Sequence, residues 1–238
     1  MLRAPRPHLP PGSAAVPAAA IVGAVPTPLV PVKALAEAKG RLGPALAPVE
    51  RRLLAIAMFE DVVTALQATP SLGRPVVVSP DREVWRRADA IGCLVVEEDG
   101  GPAGDLNASL ARAAAAAPAG DPLLVVAADL PLASPEALGR VLAGAVDAPV
   151  VVVPSRDRAG TNVLAWREPS SFQPSFGPGS AGRHLALPGA ARLDEPALAL
   201  DVDTVDDLRA VAPLLDPASV TGRRLRDLRL PGRLEPAG

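Results

Sequence analysis

The segment PLLVVAADLP, residues 122–131, runs from Leu123 to Ala128 without a polar side chain and then meets Asp129. A strand wetted on one side alternates polar and apolar residues, so a run apolar at every position is covered on both faces. Such cover implies a central strand in a mostly parallel sheet, because parallel strands are joined by crossover helices that pack above and below. VVVSPD at 76–81 and APVVVVP at 148–154 read as further apolar strands.

Helical patterns separate these runs. PVERRLLAIAMFEDVVTALQA, residues 48–68, places Leu53, Leu54, Ala57, Met58, Val62 and Leu66 near helical spacing with charge on the other side. REVWRRADAIG predicts a helix closed by Gly92, LNASLARAAAAA an alanine-rich one, and SPEALGRVLAGA a helix with Ser134 as N-cap and Pro135 at its first position. PTPLVPVK, CLVVEED and LALDVD read as strands, the last followed by a helix capped by Thr204. SRDRAGTNVLAW gives a polar loop and a returning strand, and FGPGSAGRHLAL a turn entering a short helix.

The expected fold is therefore α/β, one domain with a mostly parallel, mixed, Rossmann-like sheet flanked by helices. It is expected over residues 21–215, after an unstructured Ala/Pro leader at 1–20 and before a basic, solvated tail at 216–238. The leader's arginines and small apolar residues also suit a secretory signal, but Pro17 interrupts the apolar run.

Composition narrows the function. A net charge of -2 and 2% aromatic residues supply neither the field nor the stacking surfaces that nucleic acid requires. The 29 prolines leave no stretch of roughly twenty apolar residues to span a bilayer. Cys93 is the sole cysteine, which excludes an internal disulfide and a cysteine metal cage and fits a reducing, cytoplasmic setting.

Parallel sheets bind ligands at the carboxyl ends of their strands. Asp129 emerges there from the central run, as a ligand-binding carboxylate or as a turn residue before Pro131. In a strand, the DVD triplet sets Asp201 and Asp203 on one face and Val202 on the other. Two carboxylates so close call for a cation, and a hard oxygen set suits Mg²⁺. Asp203 alone also reads as a helix cap, and Asp206 and Asp207 read as first-turn residues favoured by the helix dipole.

PVKALAEAKGRL, residues 31–42, holds both lysines of a chain with 24 Lys and Arg residues. Lys33 at a strand end, with Lys39 and Arg41 beyond it, forms a cationic segment able to wrap a polyphosphate or simply a solvated surface. GTN at 160–162 and FGPGS at 176–180 are small-residue turns that allow close anion approach. Asn107 suits base or ribose recognition and equally a helix cap, and His184 suits an anion partner or packing.

The ordered set PVKALAEAKGRL, VVVSPD, LNASL, AADLPL, GTN, FGPGS with RH, and ALDVDT resembles the guanylyltransferases that act on phosphoenolpyruvate or 2-phospholactate in deazaflavin coenzyme (F-420) biosynthesis. The resemblance spans about Leu29 to Leu214 and implies a nucleotide-diphospho-sugar-transferase-like fold. It implies Mg²⁺ on Asp129, Asp201 and Asp203, with Lys33 and Asp129 central to catalysis. GTP would lie on Lys33, Lys39, Arg41 and Asn107, and the phospho-acid on Thr161, Gly177 and Ser180. GTP and phosphoenolpyruvate are the implied partners, a homodimer is an allowed assembly, and 2-phospholactate or 3-phosphoglycerate are alternative acceptors. Gly40 stands where relatives often have Ser, Asp105 adds a charge beside the Leu-Asn motif, and SAGRH lacks a bulky residue after Ser180. A noncatalytic nucleotide-binding regulator on the same scaffold is the alternative of a different class.

Overall fold

The computed structural model describes residues 8–9, 24–36, 39–97 and 105–230. Among the described residues, eight strands form one sheet: β1 (His8–Leu9), β2 (Thr27–Pro31), β3 (Val76–Ser79), β4 (Leu94–Glu97), β5 (Leu123–Val126), β6 (Val150–Pro154), β7 (Thr161–Trp166) and β8 (Ala191–Leu193). Their spatial order is β1-β8-β6-β7-β5-β2-β3-β4. Only β7 runs antiparallel to its neighbours, β5 and β6, and every other pairing is parallel. The mostly parallel, mixed sheet expected from the apolar runs is what the chain forms.

The period of two along each strand divides the core. Val30, Val77, Leu124, Val126, Val151 and Val153 face one layer, built on α1 (Pro48–Ala68), α2 (Arg82–Ala90) and α4 (Pro135–Asp147). Leu29, Val76, Val78, Leu123, Val125, Val150 and Val152 face the other, which holds α3 (Leu106–Ala116) and the flank of α5 (Ser180–Leu185). Alternate residues of one strand thus serve opposite layers, which is why no position in β5 tolerates a polar group. Among the described residues, no helix is long and apolar enough to cross a membrane.

Helix boundaries follow the capping chemistry. Asp81 accepts from Glu83 N, Asp105 from Asn107 N and Ala108 N, and Ser134 from Ala137 N. α7 (Val205–Val211) opens on a reciprocal box between Thr204 and Asp207.

Three expectations need correction. First, LALDVD contains no strand: Pro196–Ala199 forms the short helix α6, and residues 200–203 run on irregularly. Pro196 lacks an N–H and pre-sets a helical start, while the strand that joins the sheet is β8, one segment earlier. Second, α1 is apolar on more than one side. Ile56, Phe59, Val62 and Val63 face the sheet, whereas Leu54 and Met58 join a separate cluster with Val202, Leu208, Val211 and Leu225.

Third, the basic stretch after Leu215 is not simply a solvated tail, because Val220–Asp227 folds as α8 and buries Thr221, Gly222 and Leu225. Asp61 of α1 anchors it by accepting from the Val220 and Thr221 amides, both at 2.8 Å. A carboxylate at two otherwise orphaned N-terminal amides is a cap delivered from another helix. Asp61→Ala is expected to cost about 1–2 kcal/mol in urea unfolding, the usual worth of a cap. Within the leader, His8 and Leu9 pair with Arg192 and Leu193; the rest of residues 1–20 and residues 231–238 lie outside the described residues.

Candidate functional site

The polar residues gather where the topology predicts. The chain leaves β2 at Lys33, β3 at Ser79–Asp81 and β5 at Asp129, all at one sheet edge because these strands are parallel. β7 runs the other way, so its first residues, Thr161 and Asn162, reach the same edge; Ala127 N donates to Asn162 O at 2.9 Å. Residues 201–203 are fastened there by the Val202 amide, which donates to Asp129 O at 3.1 Å. The i, i+2 relation therefore survives the loss of the strand: Val202 is buried and its two neighbours are only partly so.

One carboxylate oxygen from each of Asp129, Asp201 and Asp203 lies within 4.8 Å of the others. Lys39 Nζ bridges the outer two, 2.5 Å from Asp129 and 2.9 Å from Asp203. Burial works against the Lys39 ammonium, but Asp129 and Asp203 outweigh it and hold the pKa above the ordinary lysine value. Burial also opposes charge on Asp203, yet Lys39, with Lys33 and Arg41 behind it, keeps that carboxyl below its usual range. Asp201 goes the other way, raised by burial and then by the Asp129 charge, against the pull of an Asn162 hydrogen bond.

The three cations of PVKALAEAKGRL thus act on one carboxylate cluster. Lys33 is exposed beyond β2, Arg41 is exposed in the single turn Gly40–Leu42, and Lys39 takes a left-handed backbone, φ 57°. Leu35 N donates to Asp81 Oδ2 at 2.9 Å, so the aspartate that caps α2 also ties down the lysine loop. That gives SPD a positional role its sequence does not announce.

The second group of candidates lies around the turn before α5. Thr161 Oγ1 is 2.9 Å from His184 Nδ1, and Ser175 N donates to His184 Nε2 at 3.1 Å. Burial, and then the Arg183 charge, pushes the His184 pKa down to about 4. Gly177 has φ 119° and Gly179 φ 74°, conformations that favour glycine. Ser180 is buried at the first turn of α5, its amide donating to Gly177 O. Asn107 grips this turn from α3, accepting from Phe176 N at 2.7 Å and donating to Phe176 O at 3.2 Å. Asn107 thus braces the turn with its oxygen and one of its two amide hydrogens.

Sequence reasoning passed over Asn162. Its Nδ2 donates to Leu198 O at 3.0 Å and to Asp201 Oδ1 at 3.1 Å, spending both hydrogens. On the strand, Thr161 and Asn162 point to opposite faces, one toward His184 and the other toward Asp201. Alternation within GTN was the available signal.

A divalent cation suits this cluster. The donors are hard carboxylate oxygens, they lie close together, and Asp201 is raised by burial and then by the Asp129 charge, both of which a bound cation would offset. Asn162→Ala is expected to weaken Mn²⁺ binding, followed by electron paramagnetic resonance, by about 10-fold or more, the usual effect of removing an outer hydrogen bond to a ligand. An unchanged affinity would place Asp201 outside the binding set.

Solved structures share this architecture. A putative nucleotide-diphospho-sugar transferase from Desulfovibrio desulfuricans superposes with a TM-score of 0.67 at 17% identity, covering 89% of this chain and 97% of its own. A nucleotidyl transferase from Methanothermobacter thermautotroptrophicus gives 0.58 at 22% identity, with 84% and 98% covered. These likenesses define the fold class. Sequence narrows it: residues 27–216 match the family described as guanylyl transferase, CofC like. A phosphoenolpyruvate guanylyltransferase of Nocardia farcinica is 41% identical over 207 residues, 84% of this chain and 90% of that one. Another, from Sphaerobacter thermophilus, is 36% identical over 192 residues, with 77% and 91% covered. The chain belongs to the CofC-like guanylyl transferase family.

Proposed function

We propose that this guanylyl transferase moves GMP from GTP to the phosphate of phosphoenolpyruvate, giving enolpyruvoyl-diphospho-guanosine and pyrophosphate for deazaflavin coenzyme synthesis. The carrying observation is the meeting of Asp129, Asp201 and Asp203 with Lys33, Lys39 and Arg41 at one sheet edge. The names of the relatives support phosphoenolpyruvate as acceptor.

An oxygen of the acceptor phosphate attacks the α-phosphorus of GTP, the bond to the β-phosphate bridging oxygen breaks, and pyrophosphate leaves with the electron pair. A phosphate monoester with a second pKa near 6 is mostly dianionic at neutral pH, so no strong general base is needed. The barrier is the approach of two polyanions, which cations in a preorganised site lower. Lys33, Lys39 and Arg41 bind the nucleotide phosphates; a lysine ammonium, a point charge on a flexible stem, can serve carboxylate and phosphate in turn. Asp129, Asp201 and Asp203 would hold Mg²⁺, which supplies charge neutralisation at the reacting phosphoryl oxygens. Thr161, Gly177 and Ser180 bind the phospho-acid, on a turn braced by Asn107.

The test is Mg²⁺-dependent pyrophosphate release with product mass, offering GTP and, separately, phosphoenolpyruvate, 2-phospholactate and 3-phosphoglycerate. Transfer to phosphoenolpyruvate is expected. Transfer to another acid alone would correct the acceptor, and GTP binding without transfer to any would favour the regulator.

A further inference from the structure

His184 is buried, 1% exposed, with its ring against Phe176 at a centroid distance of 5.0 Å. Its two nitrogens meet partners of different kinds. A backbone amide can only donate, so Nε2, which faces Ser175 N at 3.1 Å, carries a lone pair and no hydrogen. A neutral imidazole has one N–H, which then sits on Nδ1 and donates to Thr161 Oγ1 at 2.9 Å. The threonine oxygen accepts there, and its own hydrogen must point elsewhere.

Thr161 is 8% exposed at the edge of the site, next in sequence to the residue that braces Asp201. We infer that His184 is a positioning residue that donates to Thr161 Oγ1 and so turns the threonine hydroxyl hydrogen toward an anionic oxygen of the acceptor. The inference rests on the reading above that Thr161 meets the phospho-acid. The polarity runs in one direction, from the Ser175 amide through the imidazole to the threonine hydroxyl and outward. A hydroxyl so held keeps its hydrogen off the imidazole and offers it to a carboxylate or phosphate oxygen. Arg183 fixes the start of this relay by donating to Ser175 O and Oγ at 2.8 Å each.

Two measurements test it. In ¹⁵N-labelled wild-type protein near neutral pH, long-range ¹H–¹⁵N correlations of the His184 ring, assigned by their loss in His184→Gln, should show the Nδ1–H tautomer. An Nε2–H or doubly protonated ring would overturn the inference without recourse to any variant's folding. In steady-state kinetics, Thr161→Val should raise the acceptor KM about 10-fold and leave the GTP KM unchanged, the scale of one hydrogen bond to a charged group.

His184→Gln puts an amide near the Nε2 position, keeping the Ser175 contact and losing the one to Thr161, and should match Thr161→Val. His184→Asn puts an amide near Nδ1 and should stay within about threefold of wild type. The reverse order would mean that His184 serves the turn alone, and the inference would fall. If Thr161→Val leaves the acceptor KM unchanged, the reading of Thr161 is what fails, and the inference goes with it. If Thr161→Val raises it and His184→Gln does not, only the inference fails.

Discussion

Asp129→Asn is expected to lower guanylyl transfer by about 10³-fold or more while the protein stays folded, because it deletes a charge from the cation-binding set and leaves the side-chain volume intact. Asn is preferred to Ala for a physical reason. Lys39 is largely buried between Asp129 and Asp203, and removing one partner of such a pair leaves charge uncompensated at a cost of several kcal/mol. A carboxamide oxygen still accepts from the ammonium. The control is the urea midpoint of Asp129→Asn itself, which should stay near wild type because Lys39 keeps Asp203 at 2.9 Å, so that lost activity reports the chemical role of Asp129. Near wild-type turnover in folded Asp129→Asn, followed as pyrophosphate release, would refute the placement of Asp129 at the reacting phosphates.

Much of this arrangement was legible because strand pattern and strand end are read together. A run without polar positions fixes β5 as doubly covered, and the first charged residue after it, Asp129, then falls at the ligand-binding edge of a parallel sheet. The gathering of Lys33, Lys39 and Arg41 with the aspartates follows from the same edge. What stayed hidden depends on contacts between segments distant along the chain. DVD alternates like a strand but is held by one amide bonded to Asp129 O, a partner that periodicity does not reveal. Helix α8 has a local cap in Ser219, but the Asp61 carboxylate that anchors its first two amides lies on α1, and that contact is not written in the basic stretch itself. The brace that Asn107 gives the Phe176 backbone is equally hidden, because nothing local announces a partner 69 residues away. Side-chain chemistry at strand ends is visible in sequence, whereas the fate of an amide or carboxylate is settled by tertiary neighbours.

His184 also predicts a pH dependence of stability. Its pKa falls from the ordinary 6.5 to about 4 in the folded chain, first by burial and then by the Arg183 charge. Between those values the unfolded chain binds a proton that the folded chain refuses, so stability is full above about pH 6.5 and declines as pH falls toward 4. The full effect is on the order of 3 kcal/mol. The lowered Asp203 and the raised Asp201 act with opposite signs at the acid end, so one titration curve does not isolate the histidine. The difference between wild type and His184→Gln does, since all other groups are common to both. Urea midpoints measured from neutral pH downward should fall more steeply in wild type, and the two slopes should converge above about pH 6.5. Equal slopes throughout would mean that the ring protonates in place. That result would conflict with the lone pair that Nε2 presents to the Ser175 amide, because an imidazolium has only donors to offer there.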